Sequence, residues 1–191
     1  MFDIESKISE LNKHGIPAIF IVCGNNSTGK TIITKKLIQN LNFYQSINLG
    51  LASKMIRFFR PDFDISELEN FNGNEASNIF KKLVIFIIES YTKSGVNVII
   101  EGVQIDTNEL LKNNNVLGGV ILKIDSTTAA ERGTRPETHF NRIIRKDQLK
   151  KIHYYENSKF RIVRNEGTIE ETFDQVVTHL NNLLTEKLKE L

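Results

Sequence analysis

The stretch that decides the fold reads Ala18-Ile19-Phe20-Ile21-Val22-Cys23-Gly24-Asn25-Asn26-Ser27-Thr28-Gly29-Lys30-Thr31. Its apolar first part, rich in Ile, Val and Phe, predicts a buried strand that is too short to be a core helix. The second part matches Gly-x-x-x-x-Gly-Lys-Thr, whose glycines let the backbone approach phosphate oxygens closely. Apolar residues at helical spacing from about Lys30 to Leu41 predict the helix that follows. This order of strand, loop and helix predicts a phosphate-binding loop.

Length and composition indicate a single globular domain over residues 1–191. The 191 residues suit one domain, and 40% hydrophobic residues with 12 phenylalanines can supply a substantial core. Lysine and arginine number 25 against 23 aspartates and glutamates, which leaves a formal net charge of +2. That balance argues against nucleic acid or an anionic membrane as the main partner. Any anion site must therefore be local.

Cysteine usage and the apolar runs predict a cytoplasmic protein. The single cysteine, Cys23, has no intramolecular disulfide partner, and residues 1–5 lack the basic and apolar regions of a signal peptide. We expect Cys23 to be a small buried apolar residue rather than a nucleophile. The longest apolar runs, Leu83 to Ile88 and the equally long Ala18 to Cys23, are far shorter than the roughly 18 residues that cross a bilayer. The sequence leaves an oligomer open.

Helices and strands are predicted to alternate along the chain. The predicted strands are Ala18–Cys23, Ser46–Leu49, Val96–Ile100, Gly119–Ile124 and Phe160–Val163. The predicted helices are Ile4–Lys13, Lys30–Leu41, Glu75–Lys93, Glu137–Asn157 and a last one from Ile169, before which Thr168 and Glu171 have capping-box spacing. Residues 52–73 are interpreted as short helices and loops around Pro61.

This alternation predicts an α/β fold of three layers. Parallel neighbours need crossover connections, so helices should cover both faces of a parallel sheet. In such sheets ligands bind at the carboxyl ends of the strands. Functional residues are therefore expected after each of the predicted strands.

The phosphate-binding loop predicts ATP and Mg²⁺ as cofactors. Lys30 should reach the β and γ phosphates, and the Thr31 hydroxyl should ligate Mg²⁺. Asn165, in the loop after the fifth strand, is expected beside the adenine. The residues predicted to bind the nucleotide are Gly24, Asn25, Asn26, Ser27, Thr28, Gly29, Lys30, Thr31 and Asn165.

Glu101 is the best acidic candidate, because it follows the apolar residues of the third strand and precedes a glycine. Its carboxylate is a candidate both for holding Mg²⁺ and for accepting the proton of the attacking hydroxyl. Gln104, three residues later, is a candidate for orienting the acceptor. The alternatives are a solvated strand end for Glu101 and a plain surface loop for Gln104.

Arginines and lysines in two further segments suggest a lid and an acceptor site. Arg132 and Arg135, within a predicted lid at about 126–150, would neutralise charge on the transferred phosphoryl group, with Arg142 and Arg145 as reserves. Lys54, Arg57 and Arg60 lie within a predicted acceptor-binding region at about 52–75 and would hold an anionic substrate. Solvated helix faces are the alternative for both sets.

Missing motifs reduce the classes of phosphate-loop protein that remain. The chain lacks the Asn-Lys-x-Asp guanine motif, the Asp-x-x-Gly switch element, the Leu-Ser-Gly-Gly transporter signature and the apolar Asp-Glu element of mechanical ATPases. It is also too short for a large accessory domain. Compact phosphotransferases are the class that remains favoured.

Four features of the sequence carry a family resemblance: the loop, the stretch Ile99-Ile100-Glu101-Gly102-Val103, the arginine-bearing lid, and the ending Arg161-Ile162-Val163-Arg164-Asn165 followed by Thr168-Ile169-Glu170-Glu171-Thr172. Together they resemble small P-loop kinases, most of all 2-phosphoglycerate kinases. The resemblance covers nearly the whole chain from the first strand onward. It implies a P-loop NTPase fold with a five-stranded parallel sheet of order 2-3-1-4-5. It also implies transfer of the γ-phosphate of ATP, with Mg²⁺, to a small-molecule acceptor.

The chain departs from those kinases on the acceptor side. Where they carry a Thr-Asp pair after the second strand, the matching residues are Ser53 and Lys54, and Gln104 stands where they tend to have histidine. Two other functions therefore stay open. One is a kinase of nucleosides, nucleotide-sugars or nucleic-acid ends, with Phe58, Phe59 and Phe63 either stacking on bases or buried in the core. The other is a nucleotide-binding regulatory protein with little turnover.

Overall fold

The computed structural model describes residues 3–24, 27–41, 43, 45–59, 75–102, 110, 112–132 and 158–191. The five strands found there are β1 (Ile19–Gly24), β2 (Gln45–Asn48), β3 (Val98–Gly102), β4 (Val116–Lys123) and β5 (Phe160–Arg164). The six helices that these ranges contain are α1 (Ile4–Lys13), α2 (Lys30–Asn40), α3 (Leu49–Phe59), α4 (Glu75–Ser94), α5 (Ser126–Arg132) and α6 (Ile169–Lys189). The predicted helix 137–157 lies outside the described residues.

The strands form one parallel sheet in the order β2-β3-β1-β4-β5, which confirms the predicted order. Strand β1 lies at the centre and pairs with β3 on one side and β4 on the other. Its residues Val22 and Cys23 pair with Glu101 and Gly102 of β3. All strands run in the same direction, so the loop after β1 and the end of β3 meet at one edge.

Alternate residues of β1 pack into two separate cores, because side chains of a strand point to opposite faces of a sheet. Phe20 and Val22 are buried with the apolar faces of α1, α2 and α6. Ile19, Ile21 and Cys23 are buried on the other face with α3 and α4. The three-layer α/β prediction is therefore confirmed.

The structure moves the bounds of three predicted strands by one residue and those of β3 and β4 by up to two and three residues. Strand β4 begins at Val116, three residues before the predicted start. The Gly118–Gly119 pair lowers the strand propensity of this segment, but pairing with β1 outweighs that preference. Strand β3 begins at Val98, two residues after the predicted start, and just before it the Asn97 side chain accepts a hydrogen bond from the Ala18 N–H at 2.8 Å. It also extends to Gly102, so Glu101 lies within the strand rather than after it.

Cys23 is fully buried, as the sequence predicted. Its thiol donates a hydrogen bond to the Val120 carbonyl at 3.4 Å. Burial raises the pKa of this thiol to about 12. The thiolate that a nucleophile requires is therefore disfavoured.

Within the described ranges, none of the helices combines the length and the apolar character that crossing a bilayer demands.

The predicted capping box begins helix α6. The Thr168 hydroxyl accepts from the Glu171 N–H at 3.2 Å, and the Glu171 carboxylate accepts from the Thr168 N–H at 2.8 Å. The helix buries Val176, Leu180 and Leu184 against the sheet. The cap therefore sets where the longest described helix starts.

We expect Thr168→Ala to lower the free energy of unfolding by about 1 kcal/mol, because the N-cap loses its side-chain acceptor. Thr168→Ser keeps a hydroxyl at the same place and should stay close to the parent protein. Urea unfolding followed by circular dichroism measures both variants. An equal loss in the serine variant would contradict a role for the hydroxyl.

Candidate functional site

The loop between β1 and α2 has the backbone that its glycines predict. Gly24 has φ +142°, and a Cβ there would overlap the Leu122 carbonyl of β4. Gly29 has φ +87° at the N-cap of α2, and a Cβ there would lie 2.5 Å from the Asn165 side-chain nitrogen. Ser27 also has a positive φ, +67°. The loop thus turns sharply into a helix N-terminus, where backbone N–H groups favour phosphate. Asn25 and Asn26 lie outside the described residues.

A cleft of about 420 Å³ opens beside this loop. Its walls are the loop, the start of α2, the end of β2 with the start of α3, and the end of β3. The lining residues are Ser27, Gly29, Lys30, Thr31, Ile32, Asn48, Gly50, Glu101 and Gly102. The structure therefore brings Glu101 together with Lys30 and Thr31, which are about 70 residues earlier in the chain.

Glu101 is the acidic residue among those that line this cleft. Its side chain is buried, with 4% of the residue exposed. The Thr31 hydroxyl donates to Glu101 Oε1 at 3.3 Å. Within the described part of the chain, Glu101 Oε2 is buried and has no hydrogen-bond partner. A buried carboxylate oxygen without a partner is costly, so Oε2 is a candidate to bind a ligand or a cation that enters the cleft.

The residues around Glu101 fit a magnesium ion. Mg²⁺ prefers oxygen ligands, and the Thr31 hydroxyl and the Glu101 carboxylate are both oxygen donors at the edge of the phosphate loop. The unpartnered Oε2 is a ready acceptor for a cation or for its bound water. Thr31 and Glu101 are therefore a consistent pair for the predicted metal site.

The sequence reasoning missed Asn48. It is the last residue of β2, and the parallel register places it opposite Glu101. Its side-chain amide donates to Glu101 Oε1, while its Oδ1 accepts from the Gly50 N–H at 2.8 Å. An asparagine directly before a helix is a recognised N-cap signal, so this position was detectable as a helix start. Its contact with Glu101 was not.

Asn165 contacts the phosphate-binding loop through a buried hydrogen bond. Its side chain, in a residue 3% exposed, donates to the Thr28 carbonyl at 2.9 Å and accepts from the Thr172 hydroxyl at 2.9 Å. Its backbone N–H donates to the Lys123 carbonyl. The side chain thus connects the loop to α6, and the backbone N–H connects the same residue to β4. Contact of this segment with the adenine stays a prediction.

The remaining predicted residues are divided between described and undescribed parts of the chain. Lys54 is exposed on α3, one turn after Gly50. Arg57 lies on α3 and Arg132 ends α5, but their side chains are outside the description. The residues that fall entirely outside the described ranges are Gln104, Arg135, Arg142, Arg145 and Arg60.

Comparisons with known proteins bear on the fold. No protein-family model and no curated protein matches the chain. A sugar kinase from a Janibacter species is similar in structure at TM-score 0.63 and 13% identity, over 86% of this chain and 95% of that one. A gluconokinase from Sinorhizobium meliloti is similar at TM-score 0.60 and 14% identity, over 92% and 98% of the two chains.

A shikimate kinase from Bacteroides thetaiotaomicron is similar at TM-score 0.51 and 18% identity, over 88% of this chain and 98% of that one. The chain has the fold of P-loop small-molecule kinases. At identities this low, the likeness is one of fold. The choice of acceptor has to be argued from the site.

We expect Asn165→Ala to raise the dissociation constant for MgATP about tenfold, because the Thr28 carbonyl loses its buried donor and the loop is held less firmly. Isothermal titration calorimetry measures the effect. Thr172→Ser is the matched control, since it keeps a hydroxyl to donate to Asn165. Unchanged affinity in a folded Asn165→Ala variant would contradict a role in shaping the loop.

Proposed function

We propose that the protein is an ATP-dependent kinase that transfers the γ-phosphate to a hydroxyl group of a small, anionic metabolite. The observation that carries the proposal is the meeting of Lys30, Thr31 and the buried Glu101 in one cleft at the edge of the sheet. A glycine loop alone would suit any nucleotide-binding protein. A buried carboxylate with an unpartnered oxygen beside the loop suits phosphoryl transfer.

The residues of the chain would divide the work as follows. The backbone of the loop and Lys30 hold the phosphates, which positions the γ-phosphate in the cleft. Thr31 and Glu101 would hold Mg²⁺, which would supply positive charge against the phosphate oxygens. Arg132 and Arg135 would add positive charge from the lid. In the alternative role of Glu101, its Oε2 would accept the proton of the acceptor hydroxyl instead of holding the metal.

Helix α3 supports an anionic acceptor, with a 2-phosphoglycerate-like metabolite as the specific candidate. Gly50 lines the cleft, and Lys54 and Arg57 follow it at spacings of four and seven residues, which places the three on one side of the helix. The exposed Lys54, on the helix beside the cleft, favours a carboxylate or phosphate group on the acceptor. The sugar kinase, gluconokinase and shikimate kinase folds agree with a small-molecule acceptor. We place this activity in the cytoplasm.

A base-carrying acceptor, such as a nucleoside or nucleotide-sugar, is the second candidate. Phe58 and Phe59 are exposed to 81% and 71%, which excludes the alternative that they are buried core residues. Their rings contact edge to face, with centroids 5.4 Å apart. Exposed aromatic rings at the end of α3 offer a stacking surface for a base.

Label transfer tests the function directly. Purified protein is incubated with Mg²⁺, γ-labelled ATP and pooled acceptors that include phosphoglycerates, sugar acids, shikimate, nucleosides and nucleotide-sugars, and products are identified by mass spectrometry. A labelled anionic metabolite supports the proposal, and a labelled nucleoside supports the second candidate. Tight ATP binding without transfer to any pool would overturn both and favour a regulatory protein.

We expect Lys30→Ala to abolish measurable ATP binding, because the phosphates lose their lysine partner. Glu101→Gln should keep ATP binding but lower kcat by about 100-fold or more, as expected when a general base or metal ligand is neutralised. Glu89→Gln, at an exposed position on α4, is the matched control. Calorimetry and steady-state kinetics separate binding from turnover. An unaltered kcat in Glu101→Gln contradicts the assigned role.

We expect Lys54→Ala to raise KM for an anionic acceptor about tenfold and to leave KM for ATP unchanged, because only the acceptor loses a charged partner. Lys93→Ala, an exposed lysine in the last turn of α4, removes the same charge elsewhere. Steady-state kinetics with each substrate varied in turn measures the split. Equal acceptor KM values in the two variants would place the acceptor away from α3.

A further inference from the structure

The Asn48 amide lies between two parts of the proposed active site. On one side it donates to Glu101 Oε1 from the neighbouring strand. On the other side its Oδ1 accepts from the Gly50 N–H at 2.8 Å and from the Leu51 N–H at 3.3 Å. One side chain thus contacts both the buried carboxylate and the first turn of the acceptor helix α3.

These contacts fix the orientation of the amide. Two backbone N–H groups require an acceptor, and only the oxygen of the amide can be one. A flipped amide would point its NH₂ at those donors and its oxygen at the Glu101 carboxylate, so every contact would be repulsive. The NH₂ group therefore faces Glu101.

The result is a carboxylate whose two oxygens differ. Glu101 Oε1 receives hydrogen bonds from both Thr31 and Asn48. Glu101 Oε2 receives none from the described residues. Two donors on one oxygen restrict rotation of the carboxylate, so the other oxygen is held in a constant place.

We infer that Asn48 is a positioning residue with two contacts. It fixes the Glu101 carboxylate so that Oε2 stays available, and it fixes the start of α3 relative to that carboxylate. The inference rests on the proposed function. The residue acts through Glu101 and α3 and need not touch the substrate itself. An aspartate at this position would cap α3 equally well but would repel Glu101.

Two substitutions separate the capping role of Asn48 from its contact with Glu101. Serine caps helices about as well as asparagine but is too short to reach Glu101, whereas alanine does neither. We expect Asn48→Ser to lower kcat about tenfold, the size expected for one lost hydrogen bond to a charged group, with KM for ATP within about twofold. Asn48→Ala should show the same loss of kcat and also a lower melting temperature.

Asn113→Ser is the matched control. The Asn113 side chain accepts from the Asn115 N–H at 3.0 Å in a turn before β4, at the opposite edge of the sheet. The substitution is chemically the same and also retains an oxygen acceptor. Its kcat should equal that of the parent protein.

A double variant shows whether Asn48 acts through Glu101. In a Glu101→Ala background, Asn48→Ser should cause no further loss of kcat, because the group that it positions is gone. An unchanged kcat in Asn48→Ser alone, or losses that multiply in the double variant, would overturn the inference and leave the kinase intact. Absence of phosphoryl transfer in the parent protein would instead overturn the proposed function.

Discussion

The pairing of β1 with β3 on one side and β4 on the other is the interaction on which the rest of the structure depends. It buries every residue of β1 and sends the chain into the phosphate loop at the carboxyl edge of the sheet. The same register sets Val22 beside Glu101. Because the strands are parallel, the phosphate loop and Glu101 lie at the same edge of the sheet.

Close packing around β1 also explains the two glycines of the loop. At Gly24 the backbone passes so near β4 that a side chain would overlap the Leu122 carbonyl. At Gly29 the neighbour is the Asn165 amide, which belongs to the chain after β5. The glycines thus serve the packing of the sheet edge as much as the approach of a phosphate.

Buried polar groups connect the site to the scaffold. Thr28, Asn165 and Thr172 are each at most 3% exposed and bond to one another in a row. Such a network is stable only when its members are paired, and it then holds its elements in one arrangement. Glu101 differs because one of its oxygens lacks a described partner. Glu101 lines the cleft beside the phosphate loop, which makes that oxygen the candidate in this site for binding a group from outside the polypeptide.

The sequence by itself determined the loop, the strand alternation, the capping box of α6 and the choice of Glu101 as the acidic candidate, because each depends on neighbours within a few residues. Only the tertiary structure decided the start of β4, the contact of Asn48 with Glu101 and the contact of Asn165 with the phosphate-binding loop. Those features depend on strand register and on residues 53 and 137 positions apart. Local patterns carry no information about such pairings, whereas a parallel sheet defines them through its hydrogen bonds.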